Sequence, residues 1–144
     1  FVVAGAGDQA EELRLATTGL PVKMLGWRSD IETVLSACDA VLLTSDNEGT
    51  PLSLIQAGFA GLPVIAGDVG AVRDVVIDGI TGWVAKPTSA DLSLAVLQFL
   101  ANPQEGIKRG KAGRTHTTAT FAVERLVGDH EDMYRDLAKR AHLA

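Results

Sequence analysis

The stretch that decides the fold spans residues 40–66 and reads AVLLTSDNEGTPLSLIQAGFAGLPVIA. Its two apolar ends, Ala40–Leu43 and Pro63–Ala66, predict strands. Between them the sequence predicts a polar loop and then a helix over Leu52–Ala60, with Pro51 at the first helical position. A strand, a crossover helix and a second strand make a parallel βαβ unit with a right-handed crossover.

The same alternation continues on both sides of this unit. Upstream, Phe1–Ala4 predicts a strand buried on both faces, and Val22–Leu25 predicts a second strand. Downstream, Trp83–Val84 predicts a last short strand. Helices are predicted over residues 8–17, 31–37, 69–76, 89–100, 104–115 and 121–141. These elements predict one α/β domain over residues 1–144, built on a Rossmann-like, doubly wound parallel sheet that binds ligands at the carboxyl ends of its strands.

The composition fits a globular domain and excludes several classes of protein. Hydrophobic residues make up 47% and charged residues 22% of the 144 residues, which excludes a disordered chain. The net charge of −5 argues against a nucleic-acid binder. The single cysteine, Cys38, excludes an intrachain disulfide framework. Residues 1–72 carry three basic and nine acidic side chains, so a phosphate site in this half would be short of cations.

The polar loop between the two strands carries the candidate chemistry. Gly49 lets a ligand approach the backbone closely, and the N–H groups of the first helical turn make a site for a phosphate or a sugar hydroxyl. Glu48 precedes that turn, and Gln56 lies about two turns along the helix near the same face. The carboxylate and the amide suit a clamp on one polyhydroxylated ligand. The alternative, that Glu48 only complements the helix dipole and Gln56 is solvated, stays open at this point.

Five motifs in order resemble the retaining glycosyltransferases of family 4. They are SDNEGTPLSLIQA at residues 45–57, GLPVIA at 61–66, VG at 69–70, RDVV at 73–76 and DGITG at 78–82. The resemblance extends over nearly the whole chain, from FVVAGAG at residues 1–7 to the closing helix with Tyr134. It implies the donor-binding, C-terminal half of a GT-B fold, in which two Rossmann-like domains face each other.

The resemblance also implies a role for each matching residue. Glu48 matches the family glutamate that contacts the donor sugar and is the implied catalytic residue. The backbone amides of Gly49, Thr50 and Leu52 are expected to hold sugar hydroxyls and diphosphate. Gln56 stands where the family has a second glutamate that binds the ribose hydroxyls, so the charge-assisted part of that hydrogen bond is lost. The implied donor-binding set is completed by Gly5 and Gly7 of a glycine-rich loop, by Gly26, Trp27 and Arg28 of a loop near the nucleotide base, and by Asn47.

The implied reaction moves a hexosyl group from a nucleoside-diphosphate sugar to an acceptor with retention of the anomeric configuration. No metal or other cofactor is expected, because in the family a basic pair replaces the metal, and that pair precedes the region matched here. The natural chain is therefore expected to begin upstream of Phe1 and to include an N-terminal acceptor domain as partner. The chain alone is expected to lack transfer activity. The resemblance implies a cytoplasmic location, with membrane association left open.

Two helical features bear on partners. The closing helix, residues 121–141, is expected to cross back to the absent domain, and its apolar side would otherwise drive self-association. The second feature is a basic cluster of Lys108, Arg109, Lys111 and Arg114. This cluster predicts a solvated helix face, with peripheral contact to an anionic membrane as the alternative.

Two further hypotheses compete with a transferase. Residues 5–10, GAGDQA, fit the pattern of a dinucleotide-binding loop, and Arg28 would suit the 2′-phosphate of NADP. Asp8 stands inside that loop, however, and would repel a pyrophosphate. The other hypothesis is a non-catalytic module that binds a nucleotide sugar or a partner protein, because fold alone does not fix function. Gln56 is the residue that favours it.

Overall fold

The structure, a computed structural model, describes residues 1–141, which form two compact units. The first unit is Phe1–Ala37, and the second begins at Cys38. The first contains β1 (Val2–Ala4), α1 (Ala10–Ala16), β2 (Lys23–Gly26) and α2 (Ile31–Ser36). The second contains β3 (Val41–Leu43), α3 (Leu52–Ala60), β4 (Val64–Gly67), α4 (Val72–Val75), β5 (Gly82–Ala85), α5 (Ser89–Ala101), α6 (Pro103–Phe121) and α7 (Val123–Ala141).

In the first unit β1 and β2 pair in parallel, with Val2 opposite Lys23 and Val3 opposite Met24. The prediction that β1 is buried on both faces is wrong, because Val2 is 50% exposed and no residue of β1 is buried. Helix α1 buries no residue either, and α2 buries only Leu35. A sheet of two strands offers too little surface to enclose a strand on both faces. The apolar run of β1 therefore stays largely exposed.

In the second unit three parallel strands lie in the order β3–β4–β5. All four residues of β4 are buried, because β4 is the central strand. Val64 and Ala66 face a core cluster with α3 and α4, whereas Ile65 faces a second cluster with Trp83 and α5. Helices therefore cover both faces of this sheet, and the predicted α/β class with parallel strands is confirmed.

Helix α6 packs against α3 and the turn after it through a row of small residues. Its buried residues are Gly106, Gly110, Gly113 and Thr117. Their spacing of three or four places them on one face of the helix. A Cβ on Gly110 would lie 2.1 Å from the Gly61 carbonyl oxygen, and one on Gly58 of α3 would lie 2.1 Å from Thr117 Oγ1. Larger residues at either position would force the two helices apart.

Arg109 joins α6 to β5. Its side chain is only 16% exposed, and its guanidinium lies 4.0 Å from the centre of the Trp83 ring. It donates one hydrogen bond to the Gly82 carbonyl oxygen at 2.8 Å and another to Glu105 at 3.0 Å. The hydrogen bond from Arg109 lowers the pKa of the Glu105 carboxyl. The prediction of a solvated basic face is therefore wrong for Arg109, whose cation stacks on an aromatic ring.

Two helix boundaries differ from the sequence prediction. Helix α6 continues past its predicted end at Thr115 to Phe121. The chain leaves the helical conformation at Ala122 (φ −64°, ψ 144°), so the closing helix begins at Val123 rather than at residue 121. Thr117 is buried against α3 and Phe121 packs on the core. This packing outweighs the weak helix propensity of the threonines near the end of α6.

We expect Gly110→Ala to destabilise the chain, because its Cβ would meet backbone atoms of Gly61 and Pro63. The free energy of unfolding should fall by about 1–3 kcal/mol, the usual effect of overpacking. Gly128→Ala is the matched control, since Gly128 is also helical and nothing lies within 4 Å of its Cβ position. This control should stabilise the chain by roughly 0.5–1 kcal/mol, because alanine is a better helix former than glycine. Urea unfolding measures both, and equal stabilities would contradict the close packing of α6.

Candidate functional site

The loop between β3 and α3, residues 44–51, leaves the carboxyl end of β3, where ligands bind in parallel α/β sheets. The loop between β4 and α4 lies against it. The N–H of Ala71 donates to the Glu48 carbonyl oxygen at 3.3 Å, and a Cβ on Gly70 would lie 1.7 Å from that oxygen. The Cβ position of Gly67 lies 3.8 Å from the Ser45 carbonyl oxygen. The neighbouring loop thus holds Glu48 by its backbone.

An ion pair braces this neighbouring loop. Arg73 donates two hydrogen bonds of 2.8 Å to the two carboxyl oxygens of Asp68. The Asp68 N–H donates to the Ala85 carbonyl oxygen at 2.7 Å. The hydrogen bond from Arg73 lowers the pKa of the Asp68 carboxyl. Both side chains are exposed, so the pair contributes little to overall stability and mainly orients the loop.

The start of α3 differs slightly from the prediction. The helix begins at Leu52, and Pro51 is its N-cap rather than its first residue. The Pro51 carbonyl oxygen accepts from two N–H groups of the first turn, at 3.1 and 3.3 Å. Within residues 1–141 no hydrogen bond is made by the N–H groups of Gly49, Thr50 and Leu52. These are the amides predicted to bind the donor, and all three residues are exposed.

Glu48 is half-buried, and in the described part of the chain its carboxylate makes no hydrogen bond or ion pair. Gln56 lies one turn after Leu52 on the exposed side of α3, because the intervening Leu54 and Ile55 are buried. The structure thus gathers five predicted residues at the start of α3, with Gln56 one turn further on. The five are Asn47, Glu48, Gly49, Thr50 and Leu52.

The other predicted site residues belong to the first unit. Gly5, Gly7 and Gly26 line an open cleft beside α1. The Gly5 N–H donates to the Gly26 carbonyl oxygen at 2.8 Å, which holds the two glycine turns together. Trp27 follows and is 74% exposed, so its indole ring is available to stack on a flat ligand.

Arg28 contacts Asp30, a pairing that sequence reasoning missed. The two side chains are joined by a hydrogen bond of 2.5 Å, which lowers the pKa of the Asp30 carboxyl. Asp30 is also the N-cap residue of α2, but its side chain makes no capping hydrogen bond. A ligand phosphate must therefore compete with Asp30 for the Arg28 guanidinium.

The rest of the basic cluster lies on the surface of α6. Lys111 and Arg114 line a shallow groove together with Thr115 and Thr118. Peripheral contact of this groove with an anionic membrane stays a prediction. In residues 1–141 we find no helix that is both long enough and apolar enough to cross a bilayer.

Comparisons with known sequences point to one family. Residues 1–116 match the family described as Glycosyl transferases group 1. UDP-Gal:alpha-D-GlcNAc-diphosphoundecaprenol alpha-1,3-galactosyltransferase of Escherichia coli is 27% identical over 142 residues, covering 95% of this chain and 37% of that enzyme. Alpha-maltose-1-phosphate synthase of Mycobacterium tuberculosis is 30% identical over 150 positions, covering 92% of this chain and 39% of that enzyme. The chain thus spans less than two fifths of the length of either relative.

Solved structures share the fold. The Anabaena protein HepE in complex with UDP superposes with a TM-score of 0.84 at 25% identity, covering 96% of this chain and 40% of that one. Sucrose-phosphate synthase of Thermosynechococcus elongatus also superposes with a TM-score of 0.84, at 28% identity, covering 96% of this chain and 38% of that one.

We expect Gly70→Ala to displace Glu48, because the new Cβ would overlap the Glu48 carbonyl oxygen. Gly79→Ala is the matched control: both glycines have a positive φ, +50° and +75°, but nothing lies within 4 Å of the Gly79 Cβ position. Both variants carry backbone strain, which lowers the free energy of unfolding in each. Gly70→Ala should lower it by about 1–3 kcal/mol more than Gly79→Ala does, and this difference reports the contact between the loops.

Thermal or urea unfolding measures the loss in both variants. Backbone NMR shifts of Glu48 and Gly49 should change strongly in Gly70→Ala and little in Gly79→Ala. Equal effects of the two substitutions would show that the loops do not touch as described.

Proposed function

Because the chain belongs to the glycosyl transferases group 1 family, we propose that it is the donor-binding part of a retaining glycosyltransferase. The enzyme moves a hexosyl group from a nucleoside-diphosphate sugar to an acceptor, and this chain holds the nucleotide sugar. The observation that carries the proposal is the loop before α3. It combines an unpaired Glu48 carboxylate with three backbone N–H groups that have no partner within the described residues.

The UDP bound to HepE supports a uridine nucleotide as the leaving group of the donor. That protein shares its fold with 96% of this chain, at 25% identity. In open α/β sheets the ligand site lies beyond the carboxyl ends of the strands, which is where the loop after β3 stands. The nucleotide is therefore proposed to bind at that edge.

The chemistry of the loop suits a reaction that releases a diphosphate. When the bond between the anomeric carbon and the diphosphate oxygen breaks, negative charge grows on that oxygen and positive charge on the sugar ring. The free N–H groups of Gly49, Thr50 and Leu52 donate to anionic oxygens or sugar hydroxyls, and the dipole of α3 adds positive potential there. The Glu48 carboxylate is proposed to accept from sugar hydroxyls and to stabilise the positive ring.

Retention requires the acceptor to approach the face from which the diphosphate departs. The acceptor oxygen forms the new bond to the anomeric carbon, and its proton passes to the departing diphosphate. The proposal needs no metal or other cofactor. Another domain of a longer protein is proposed to bind the acceptor, because this chain spans less than two fifths of its relatives' length.

The distribution of charged residues also supports a proposal in which another domain contributes to the site. Residues 1–72 contain only three basic side chains, and two of them are already paired, Arg14 with Glu11 and Arg28 with Asp30. The charge of a diphosphate is therefore proposed to be balanced by cations outside this chain as well as by the N–H groups of the loop. Alone, the chain is expected to bind a nucleotide sugar weakly and to transfer nothing.

Gln56 favours a second candidate function, a module that binds a nucleotide sugar without transferring it. The amide is exposed on α3 and makes no hydrogen bond within the described residues. It donates and accepts, but it lacks the charge that strengthens a hydrogen bond to a ribose hydroxyl. The dinucleotide hypothesis has less support, because the guanidinium of Arg28 that would bind a 2′-phosphate is engaged by Asp30.

We expect the chain to bind UDP and a UDP-hexose, and Glu48→Gln to weaken only the second. Glu48 is proposed to contact the sugar, so loss of its charge should lower the affinity for a UDP-hexose about five- to tenfold, or roughly 1–1.5 kcal/mol, the charged part of such a hydrogen bond. Asp46→Asn is the matched control, since Asp46 is an exposed carboxylate in the same loop. Titration calorimetry measures both ligands.

Three outcomes would contradict this assignment. Equal effects of Glu48→Gln and Asp46→Asn would deny Glu48 a contact with the sugar. Binding of NADPH without binding of UDP would favour the dinucleotide hypothesis. Sugar transfer by the purified chain would remove the need for a second domain.

Gln56→Glu should raise the affinity for UDP relative to 2′-deoxy-UDP several-fold. A carboxylate can accept from both ribose hydroxyls, and the deoxy nucleotide lacks one of them. Gln98→Glu, at an exposed position on α5, adds the same charge elsewhere and serves as control. An unchanged ratio of the two affinities would place Gln56 outside the nucleotide site.

A further inference from the structure

The loop between β4 and α4 contacts the Glu48 backbone through Gly70 and Ala71. The N–H of Ala71 donates to the Glu48 carbonyl oxygen at 3.3 Å, and Gly70 leaves no room for a Cβ atom beside that oxygen. Asp68 and Arg73 flank these two residues, and their side chains are joined by two hydrogen bonds of 2.8 Å. The ion pair therefore closes a ring around the part of the loop that holds Glu48.

Both ends of this ring are attached to the core. The Asp68 N–H donates to the Ala85 carbonyl oxygen at 2.7 Å, which ties the beginning of the loop to the end of β5. Val72, one residue before Arg73, is fully buried in the core cluster that includes residues of α3. The ion pair adds a third link, which spans the segment between those two ends.

Helix α4 depends on this link because the helix is very short. It has four residues, Val72–Val75, and no side chain caps its N-terminal end. A single helical turn is not stable by itself, because it fixes several backbone angles for few hydrogen bonds. Arg73 lies within this turn and joins it to the end of the preceding strand. We expect the direction of the N–H of Ala71, the N-cap residue, to follow that link.

The ion pair is suited to define a geometry rather than to add stability. Both side chains are about half exposed, so the pair contributes little to the free energy of unfolding. Two parallel hydrogen bonds to one carboxylate nevertheless define the direction of both groups. A displacement of about 1 Å at a binding loop is enough to weaken the contacts with a ligand severely.

The charge of Arg73 is already balanced. Its hydrogen bonds to Asp68, and to a smaller extent the negative charge of Asp78, raise the pKa of the Arg73 guanidinium. Because two carboxylates attract this cation, a ligand diphosphate must compete with both of them for it. Loss of the Arg73 side chain should therefore disturb the position of Glu48 and leave nucleotide binding nearly unchanged.

We propose that Asp68 and Arg73 are positioning residues for the sugar of the donor. Their ion pair holds Gly70 and Ala71 against the Glu48 backbone, and Glu48 in turn presents its carboxylate to the hexose. The pair thus determines how tightly the sugar is bound, whereas the nucleotide is bound without it. This inference rests on the proposed function, because it requires that Glu48 contacts the hexose.

Titration calorimetry with UDP-glucose and with UDP tests the inference. We expect Arg73→Ala to lower the affinity for UDP-glucose about three- to fivefold, because a displaced Glu48 loses part of its hydrogen bonding to the sugar. The affinity for UDP should change less than about twofold, because the pair does not contact the nucleotide. Arg135→Ala is the matched control, since Arg135 is exposed and also donates two hydrogen bonds to carboxylates, at 2.9 Å, but lies on α7.

Two checks separate positioning from a general loss of structure. The two alanine variants should unfold at nearly the same temperature, because both ion pairs are exposed. Arg73→Lys should restore part of the affinity for UDP-glucose, because lysine keeps the charge but not the two parallel hydrogen bonds.

A double substitution tests whether Arg73 acts through Glu48. Glu48→Ala removes the side chain that the ion pair is proposed to position. In that background Arg73→Ala should have little further effect on the affinity for UDP-glucose, because residues that act together are not additive. Effects that simply multiply would overturn the inference.

Amide hydrogen exchange tests the same geometry without a ligand. The Ala71 N–H should exchange several-fold faster in Arg73→Ala than in Arg135→Ala or the unaltered chain, because its bond to the Glu48 carbonyl oxygen opens more often. Equal exchange rates in the three proteins would overturn the inference. So would a loss of UDP affinity in Arg73→Ala as large as the loss of UDP-glucose affinity.

Failure of the proposed function has a different signature. An unaltered chain that binds neither UDP nor UDP-glucose would contradict the proposed function itself. A chain that binds UDP-glucose equally well with and without the Arg73 side chain would contradict only the positioning role.

Discussion

Backbone contacts too close for a Cβ atom hold the second unit together. At Gly110 the helix α6 lies directly on the turn after α3, and at Gly70 the loop after β4 lies directly on Glu48. The second contact has a consequence for chemistry. The Glu48 carbonyl oxygen is satisfied by the neighbouring loop, so the position of Glu48 is fixed without using its carboxylate. The polar groups that remain free at the start of α3 are then available to a ligand.

Local patterns were sufficient to predict the β3–α3–β4 unit. The apolar runs, the proline before α3 and Gly61 after it all indicate the same elements, and no tertiary contact is needed to recognise them. Gly61 indeed ends α3 in a left-handed conformation with φ +75°. The predicted parallel α/β architecture of a GT-B glycosyltransferase is confirmed by the family and by the solved structures that share it. The individual donor-binding residues stay predictions.

Features that depend on distant contacts could not be predicted. Arg109 donates to the carbonyl oxygen of a residue 27 positions away, and a cluster of four basic residues gives no sign that one of them lies on an aromatic ring. The last turns of α6 exist because Thr117 fits against Gly58, although threonine is a weak helix former. The contact between Arg28 and Asp30 also required side-chain geometry.

The two tryptophans of the chain have opposite environments. Trp27 belongs to the first unit and is 74% exposed, whereas Trp83 belongs to the second, is 8% exposed and lies under the Arg109 guanidinium. Their fluorescence therefore differs in emission wavelength and in access to a soluble quencher. Each unit thus contains one intrinsic optical probe. Because Trp83 loses a buried environment on unfolding and Trp27 is already largely exposed, a red shift of the emission reports unfolding of the second unit without any added label.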